Sequence, residues 1–247
     1  MGFFYALLIF IVIKLFMDIK TLRSGETGFG ILVEQDAGFI SPLDSRNQII
    51  IREFEKLDTK TGHGTLDKLI VYVVLQKYNV KNRNGRIYPE RILRKQNEIY
   101  QQAIRERRAV GELDHPESSV ISGDRISHNI TETWWEGHTL MGKMEILMTR
   151  GYQTYGIVST KYDLLADLLR QNIMIGVSSR GVGSLEKING DDIVQDDFEL
   201  IGWDAVTAPS TPGSWIFKNR EDAKPYVENR IIKKSNLIEG LDKFLLD

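Results

Sequence analysis

Apolar residues come in short blocks along this chain, each closed off by turn-forming residues, and the blocks differ in period. Leu69 to Leu75 is an unbroken β-branched and apolar run, the pattern of a buried strand. Asn82-Arg83-Asn84-Gly85-Arg86 is turn chemistry, with Asn-Gly tolerating positive φ. Pro89 suits the first turn of a helix. From Glu90 to Arg107, Ile92, Ile99, Ala103 and Ile104 recur among charges, with Leu93 and Tyr100 beside them, which predicts an amphipathic surface helix. Ile126 to Trp135 and Thr139 to Leu147 read as strands joined by a turn at Glu136-Gly137-His138. Leu164, Leu165, Leu168 and Leu169 form a helical stripe within Ile157 to Gln171. Ile173 to Val177 reads as a short strand running into a glycine-flanked bend at Ser178-Ser179-Arg180-Gly181. Asn189-Gly190-Asp191 predicts a hairpin between Ser184 to Ile188 and Ile193 to Val206.

Strands with interspersed helices and hairpin turns predict an α+β fold with mostly antiparallel pairing. The compact domain is expected over residues 49–219. An apolar N-terminal segment and a connection precede it (residues 1–48), and a charged tail follows (residues 220–247). Thr21 to Asn47, rich in Gly, Ser, Asp and Glu, reads as a poorly structured connection. Phe3 to Ile13 is apolar, and Leu15, Phe16 and Met17 continue it after Lys14. That run is shorter than the roughly 20 residues of a spanning helix, and no basic region precedes it as in a signal peptide. A membrane-associating segment, a helix packed on a partner, and upstream sequence outside the working protein all fit it.

Composition narrows the chemistry. The 247 residues carry 32 basic and 34 acidic side chains, a formal net charge of −2, so a general nucleic-acid binder is disfavoured. There are no cysteines, which excludes disulfide scaffolds, Cys-ligated zinc, iron–sulfur clusters and Cys nucleophiles. No phosphate-binding loop, dinucleotide fingerprint, zincin motif or calcium loop is present.

Two segments stand out: Gly111-Glu112-Leu113-Asp114-His115-Pro116, and Gly176-Val177-Ser178-Ser179-Arg180-Gly181-Val182-Gly183-Ser184. A serine nucleophile needs a base, usually a neutral histidine, and the base needs an acceptor to fix its tautomer. Asp204, an acid in the apolar segment Ile201 to Val206, needs a partner of some kind. Taken singly, a solvated loop histidine, a Gly/Ser loop and a structural ion pair or turn acceptor are the favoured readings of these features.

Together they resemble the prohead core proteases of T-even-type phages. The resemblance is carried by Asn82 to Pro89, Gly111 to Pro116, Trp134-Trp135, Gly176 to Ser184, Asp204-Ala205-Val206 and Pro209-Ser210, in the family's order over roughly Leu69 to Trp215. It implies a serine endopeptidase related in fold to herpesvirus assembly proteases, with a mostly antiparallel sheet or partly closed barrel and flanking helices. It implies that Ser178 is the nucleophile, with Ser179 the alternative, and that His115 is the base. Asp204 matches an acidic third position, and His128 or His138 are alternatives because herpesvirus relatives use a second histidine. Backbone N–H groups of the glycine-flanked bend would hold the oxyanion, and the Arg180 side chain is expected to pair with an acid. No metal or organic cofactor is implied.

The expected substrates are phage scaffold and capsid precursors and the enzyme itself, inside an oligomeric prohead core in the host cytoplasm. Membrane contact through the N-terminus is an open part of that expectation, and no nucleic-acid partner is expected. A catalytically silent core component and a membrane-anchored hydrolase are the rival readings. The resemblance further implies cleavage after Glu, with Leu or Ile two residues earlier. Leu32-Val33-Glu34-Gln35 and Leu237-Ile238-Glu239-Gly240 fit that pattern, in chain ends expected to be mobile.

Overall fold

A computed structural model describes residues 19–227 apart from 24, 35–67 and 117. The apolar N-terminal run, His63 and the second predicted cleavage segment lie outside the described residues. Among the described residues no helix is long and apolar enough to cross a membrane.

The chain runs through β1 (Thr21–Leu22), β2 (Gly28–Val33), β3 (Leu69–Lys77), β4 (Arg86–Ile87), α1 (Glu90–Arg105), β5 (Val110–Glu112), β6 (Ile126–Glu136) and β7 (Thr139–Ile146). It continues through α2 (Arg150–Tyr155), α3 (Lys161–Arg170), β8 (Gly176–Ile188), β9 (Asp191–Val194), β10 (Glu199–Val206), β11 (Ile216–Phe217) and α4 (Arg220–Val227). The expected α+β class holds. Among the described residues the strands form two sheets and no closed barrel. One has the order β11-β3-β7-β6-β5; the other has the order β1-β2-β8-β9-β4, with β10 also paired to β8. All pairings are antiparallel except β1 with β2 and β4 with β9. The main core is filled from both sheets and from α1 and α3, with Val71, Val73, Ile130, Met144, Leu165, Leu169, Val177 and Trp203 all buried.

The hydrophobic pattern locates most elements and errs where tertiary contacts decide. On α1 the buried positions are Ile92, Leu93, Gln96, Asn97 and Tyr100, while Ile99 lies outside that stripe and is 58% exposed. Gln96 is buried because its Oε1 accepts the Leu200 N–H (2.9 Å), at an irregularity in the β8–β10 pairing. The Gly137-His138 and Asn189-Gly190 hairpins form as read, with positive φ at Gly137, Asn189 and Gly190. The single strand expected from Ile193 to Val206 is split, because the chain turns at Gln195 to Phe198 and buries Phe198.

Two corrections bear on function. The glycine-flanked stretch is no bend: β8 runs straight through it for 13 residues. Its glycines make room for a neighbour, since a Cβ on Gly181 would stand 2.3 Å from the Phe198 ring. Thr21 to Asn47 is also not simply a connection. Residues 28–33 form a strand paired antiparallel with β8 from Leu185 back to Arg180, with β1 on the strand's far edge.

Candidate active site

Strand β8 carries the centre of the site because it has neighbours on both edges: β2 along one, β10 and then β9 along the other. Register places Asp204 of β10 opposite Ser178 of β8, so the two side chains share a face. Arg180, two residues on, shares that face, whereas Ser179 points to the opposite one, toward Tyr88.

His115 reaches the same place from β5. Leu113 bridges to Ala205, and the Asp114 N–H donates to the Ala205 carbonyl (2.9 Å). Asp114 has φ of 69°, a left-handed turn that aspartate tolerates better than most residues. The chain then presents His115 Nδ1 to Asp204 Oδ2 at 2.7 Å, with both side chains buried. The other ring nitrogen, Nε2, is buried and has no hydrogen-bond partner among the described residues.

Asp204 is fixed from three sides. Its Oδ1 accepts the Glu112 N–H (2.9 Å), and Arg180 reaches Oδ2 through Nε (2.9 Å) and Oδ1 through Nη2 (3.3 Å). Burial alone would raise its pKa. The His115 hydrogen bond and charge, then Arg180 and the Glu112 N–H, outweigh burial and hold the carboxyl below its ordinary value. Arg180 also contacts Glu112 (3.3 Å) and donates to the Ser118 carbonyl (2.9 Å). Its side chain is thus committed to acids, as expected.

The other two described histidines are engaged elsewhere. His128 is buried between the Ser127 hydroxyl (2.9 Å) and the Trp203 carbonyl (2.8 Å), and burial pushes its pKa down. His138 lies in the β6–β7 turn against Tyr78. It is Asp204 that occupies Nδ1 of His115.

The Ser178 hydroxyl bonds neither His115 nor Asp204 but donates to the main-chain carbonyl of Glu34, the residue that follows β2. The same carbonyl oxygen accepts the Ser210 N–H (3.1 Å), while the Glu34 N–H donates to the Ser179 carbonyl (3.3 Å). The Glu34 side chain is fully buried and ion-paired to Arg86 at 2.8 Å. Burial would raise its pKa, but the Arg86 charge and the bonds from Tyr88, Arg86 and Asn84 hold it below its ordinary value. Leu32 is also buried, among Tyr88, Ile92, Leu93, Leu185, Val194 and Phe198. The described part of the segment read as a mobile chain end, Leu32 to Glu34, therefore ends β2 and sets the Glu34 carbonyl against the Ser178 hydroxyl.

The glycine bend expected to supply oxyanion donors does not form. Because Gly176 to Gly183 is strand, the N–H directed at the Glu34 carbonyl oxygen is that of Ser210. Ser210 was visible in sequence only as part of a matched Pro-Ser pair with no role attached. Asn82, Asn84, Arg86 and Tyr88 likewise stood in a matched segment that read as a turn.

Known proteins share the sequence and fold of this chain. A family model described as "Prohead core protein serine protease" matches residues 46–224. The chain is 35% identical over 156 residues to the prohead core protein protease of Enterobacteria phage T4, covering 62% of this chain and 70% of that protein. The solved structure of the bacteriophage T4 capsid assembly protease matches with a TM-score of 0.53 at 25% identity, covering 74% of this chain and 99% of that one.

Proposed function

Because the chain belongs to the prohead core protein serine protease family, a family of prohead maturation peptidases, we propose that it is a serine endopeptidase acting through Ser178, His115 and Asp204. The single observation that carries this reading is the Glu34 carbonyl. It is bracketed by the Ser178 hydroxyl and the Ser210 N–H, on the face of β8 that also holds the His115–Asp204 pair.

In this reading Ser178 Oγ attacks the carbonyl carbon and its proton passes to His115 Nε2. Asp204 fixes the imidazole through Nδ1 and balances the imidazolium. The Ser210 N–H supports the oxyanion. The C–N bond then breaks, the proton moves from His115 to the leaving amine, and water hydrolyses the Ser178 ester by the same route in reverse. The Ser178–His115 hydrogen bond is unformed while Ser178 holds the carbonyl oxygen, and such bonds tighten as reaction begins.

The substrates are phage scaffold and capsid precursors within the assembling prohead, and the first substrate is the enzyme's own Glu34–Gln35 bond. The same reading takes in kinship of fold with herpesvirus assembly proteases, an oligomeric prohead core, and contact of the N-terminus with a membrane or partner before cleavage. Active protein should shorten to a species beginning at Gln35, while Ser178→Ala keeps its N-terminus. Intact-mass measurement decides this, and an active enzyme retaining residues 1–34 through a full assembly cycle refutes self-cleavage there.

The resident strand also gives a pH signature. The folded pKa of Glu34 lies below its ordinary value near 4.5, so its stabilising effect is complete above that value and is lost as pH falls through the lowered folded pKa. In a Ser178→Ala background, Glu34→Gln should cost about 3 kcal/mol near neutrality, since it leaves buried Arg86 without its carboxylate. That difference should begin to narrow as pH falls below 4.5, where the unfolded chain starts to take up the proton. Denaturant unfolding of the two proteins from pH 7 to pH 3 measures it; a difference independent of pH would exclude an ionised Glu34.

A further inference from the structure

Five donors converge on the Glu34 carboxylate. Oε1 accepts from Arg86 Nη1 (2.8 Å) and the Tyr88 hydroxyl (2.6 Å). Oε2 accepts from Asn82 Nδ2 (2.6 Å), Asn84 Nδ2 (2.9 Å) and the Ser210 hydroxyl (2.9 Å). All five of these residues are buried. We propose that this cage is the pocket that selects glutamate on the acyl side of the bond to be cut, with Arg86 its specificity-determining residue and Glu34 its first occupant. The inference rests on Ser178 being the nucleophile.

The cage is organised by its own bonds as well as by Glu34. Asn82 Oδ1 accepts the N–H groups of Asn84 (3.0 Å) and Arg86 (2.9 Å), which closes the turn, and Gly85 takes the positive φ of 83° that the turn requires. The Arg83 N–H donates to the Ser210 carbonyl (3.0 Å). One residue therefore joins the two halves of the site: the N–H of Ser210 meets the carbonyl oxygen and its hydroxyl meets the side chain. Arg86 Nη1 also donates to the Val33 carbonyl (3.1 Å), so it holds the main chain just before the glutamate as well. All five cage residues lie within the 46–224 match to the family model, and Glu34 lies outside it. The pocket thus belongs to the part of the chain shared with the family, and its occupant belongs to the segment that precedes it.

The chemistry is selective because every group aimed at the side chain is a donor. Glutamine would turn an amide NH2 toward one set of donors and leave Arg86 with no counter-charge in the pocket. Aspartate is one methylene too short to reach from the same main-chain position. A site built of buried polar groups rejects a ligand that leaves them unpaired far more strongly than an apolar pocket rejects a wrong size.

The test uses the full-length chain and two internally quenched peptides, one built on Leu-Val-Glu-Gln and one on Leu-Val-Gln-Gln. The quantity read is the ratio of their kcat/KM values, because a competing N-terminal strand lowers both rates alike. Wild type should favour the Glu peptide by at least ~100-fold. Arg86→Gln should reduce that ratio below ~10-fold, with the loss falling on the Glu peptide. Arg86 also reaches the Leu22 carbonyl, so a folding defect is possible in that variant. Should it not fold by circular dichroism, Tyr88→Phe and Asn84→Ala, each removing one donor to the carboxylate, should narrow the ratio by about tenfold. A wild type that cuts both peptides equally overturns the proposal while leaving the peptidase reading intact, as does a ratio unchanged in every folded variant. A wild type that cuts neither peptide, in a protein that also fails to process itself, counts against the peptidase reading instead.

Discussion

Ser178→Ala should fold normally and cleave nothing, with activity toward a co-expressed scaffold falling on the order of 10⁶-fold, the scale seen when a nucleophile is removed from a triad. The fold should tolerate the change. The substitution deletes one hydroxyl and its hydrogen bond to the Glu34 carbonyl, a net loss of about 1 kcal/mol. Ser179→Ala provides the contrast. Ser179 is equally buried but points to the opposite face of β8, away from the His115–Asp204 pair, and its loss should leave substantial activity. Gel analysis of scaffold cleavage in co-expressing cells separates the two. If Ser179→Ala were inactive and Ser178→Ala active, the nucleophile would lie on the other face and the site described here would be wrong.

His115→Ala should be as damaging as Ser178→Ala, because members of a catalytic triad act as a unit and their losses do not add. Asp204→Asn should lower turnover by about 10⁴-fold. An amide can still occupy the position, but its NH2 would face a ring nitrogen that must itself donate, which sets the wrong tautomer. The same substitution removes the anion that Arg180 contacts at 2.9 Å, leaving Arg180 with Glu112 at 3.3 Å. Some loss of stability should therefore accompany the loss of turnover, and kcat measured well below the melting temperature isolates the catalytic part. His128→Ala should behave differently. It should destabilise the contact between β6 and β10, because His128 joins Ser127 to the Trp203 carbonyl beside Gly111, but it should leave the pH dependence of turnover in place. Near-normal turnover in Asp204→Asn, with collapse in His128→Ala, would move the third role to the histidine.

How far the sequence reveals this site depends on which interactions are local. Hairpins at Gly137-His138 and Asn189-Gly190 follow from turn chemistry that a few residues determine, and they form as read. The stripe on α3 is legible because helical period alone places Leu165 and Leu169 inward. The pairing of His115 with Asp204 was reached through matched segments 89 residues apart, which no local pattern connects. The two misreadings share a cause. Gly181 and Gly183 in isolation suggest a bend. Their use appears only once Phe198, folded back from beyond the hairpin, is seen to fill the space a Cβ would take. Residues 28–34 in isolation are too rich in glycine to predict a strand. They become one because β8 offers an edge on one side, β1 covers the other, and the cage around Arg86 takes the Glu34 side chain. The cage itself is dispersed over Asn82 to Tyr88 and Ser210, and only the tertiary fold turns that set of matched residues into a binding site.

The central claim is that Ser178 is the reacting group, and covalent capture tests it most directly. The full-length protein, allowed to process itself, is treated with a small fluorophosphonate, digested, and mapped by tandem mass spectrometry. The account predicts one phosphonylated residue in the peptide spanning Gly176 to Arg180, on Ser178, and no label on that peptide when His115 is replaced by Ala. Label on Ser179, or on Ser178 at the same rate with and without His115, would contradict it.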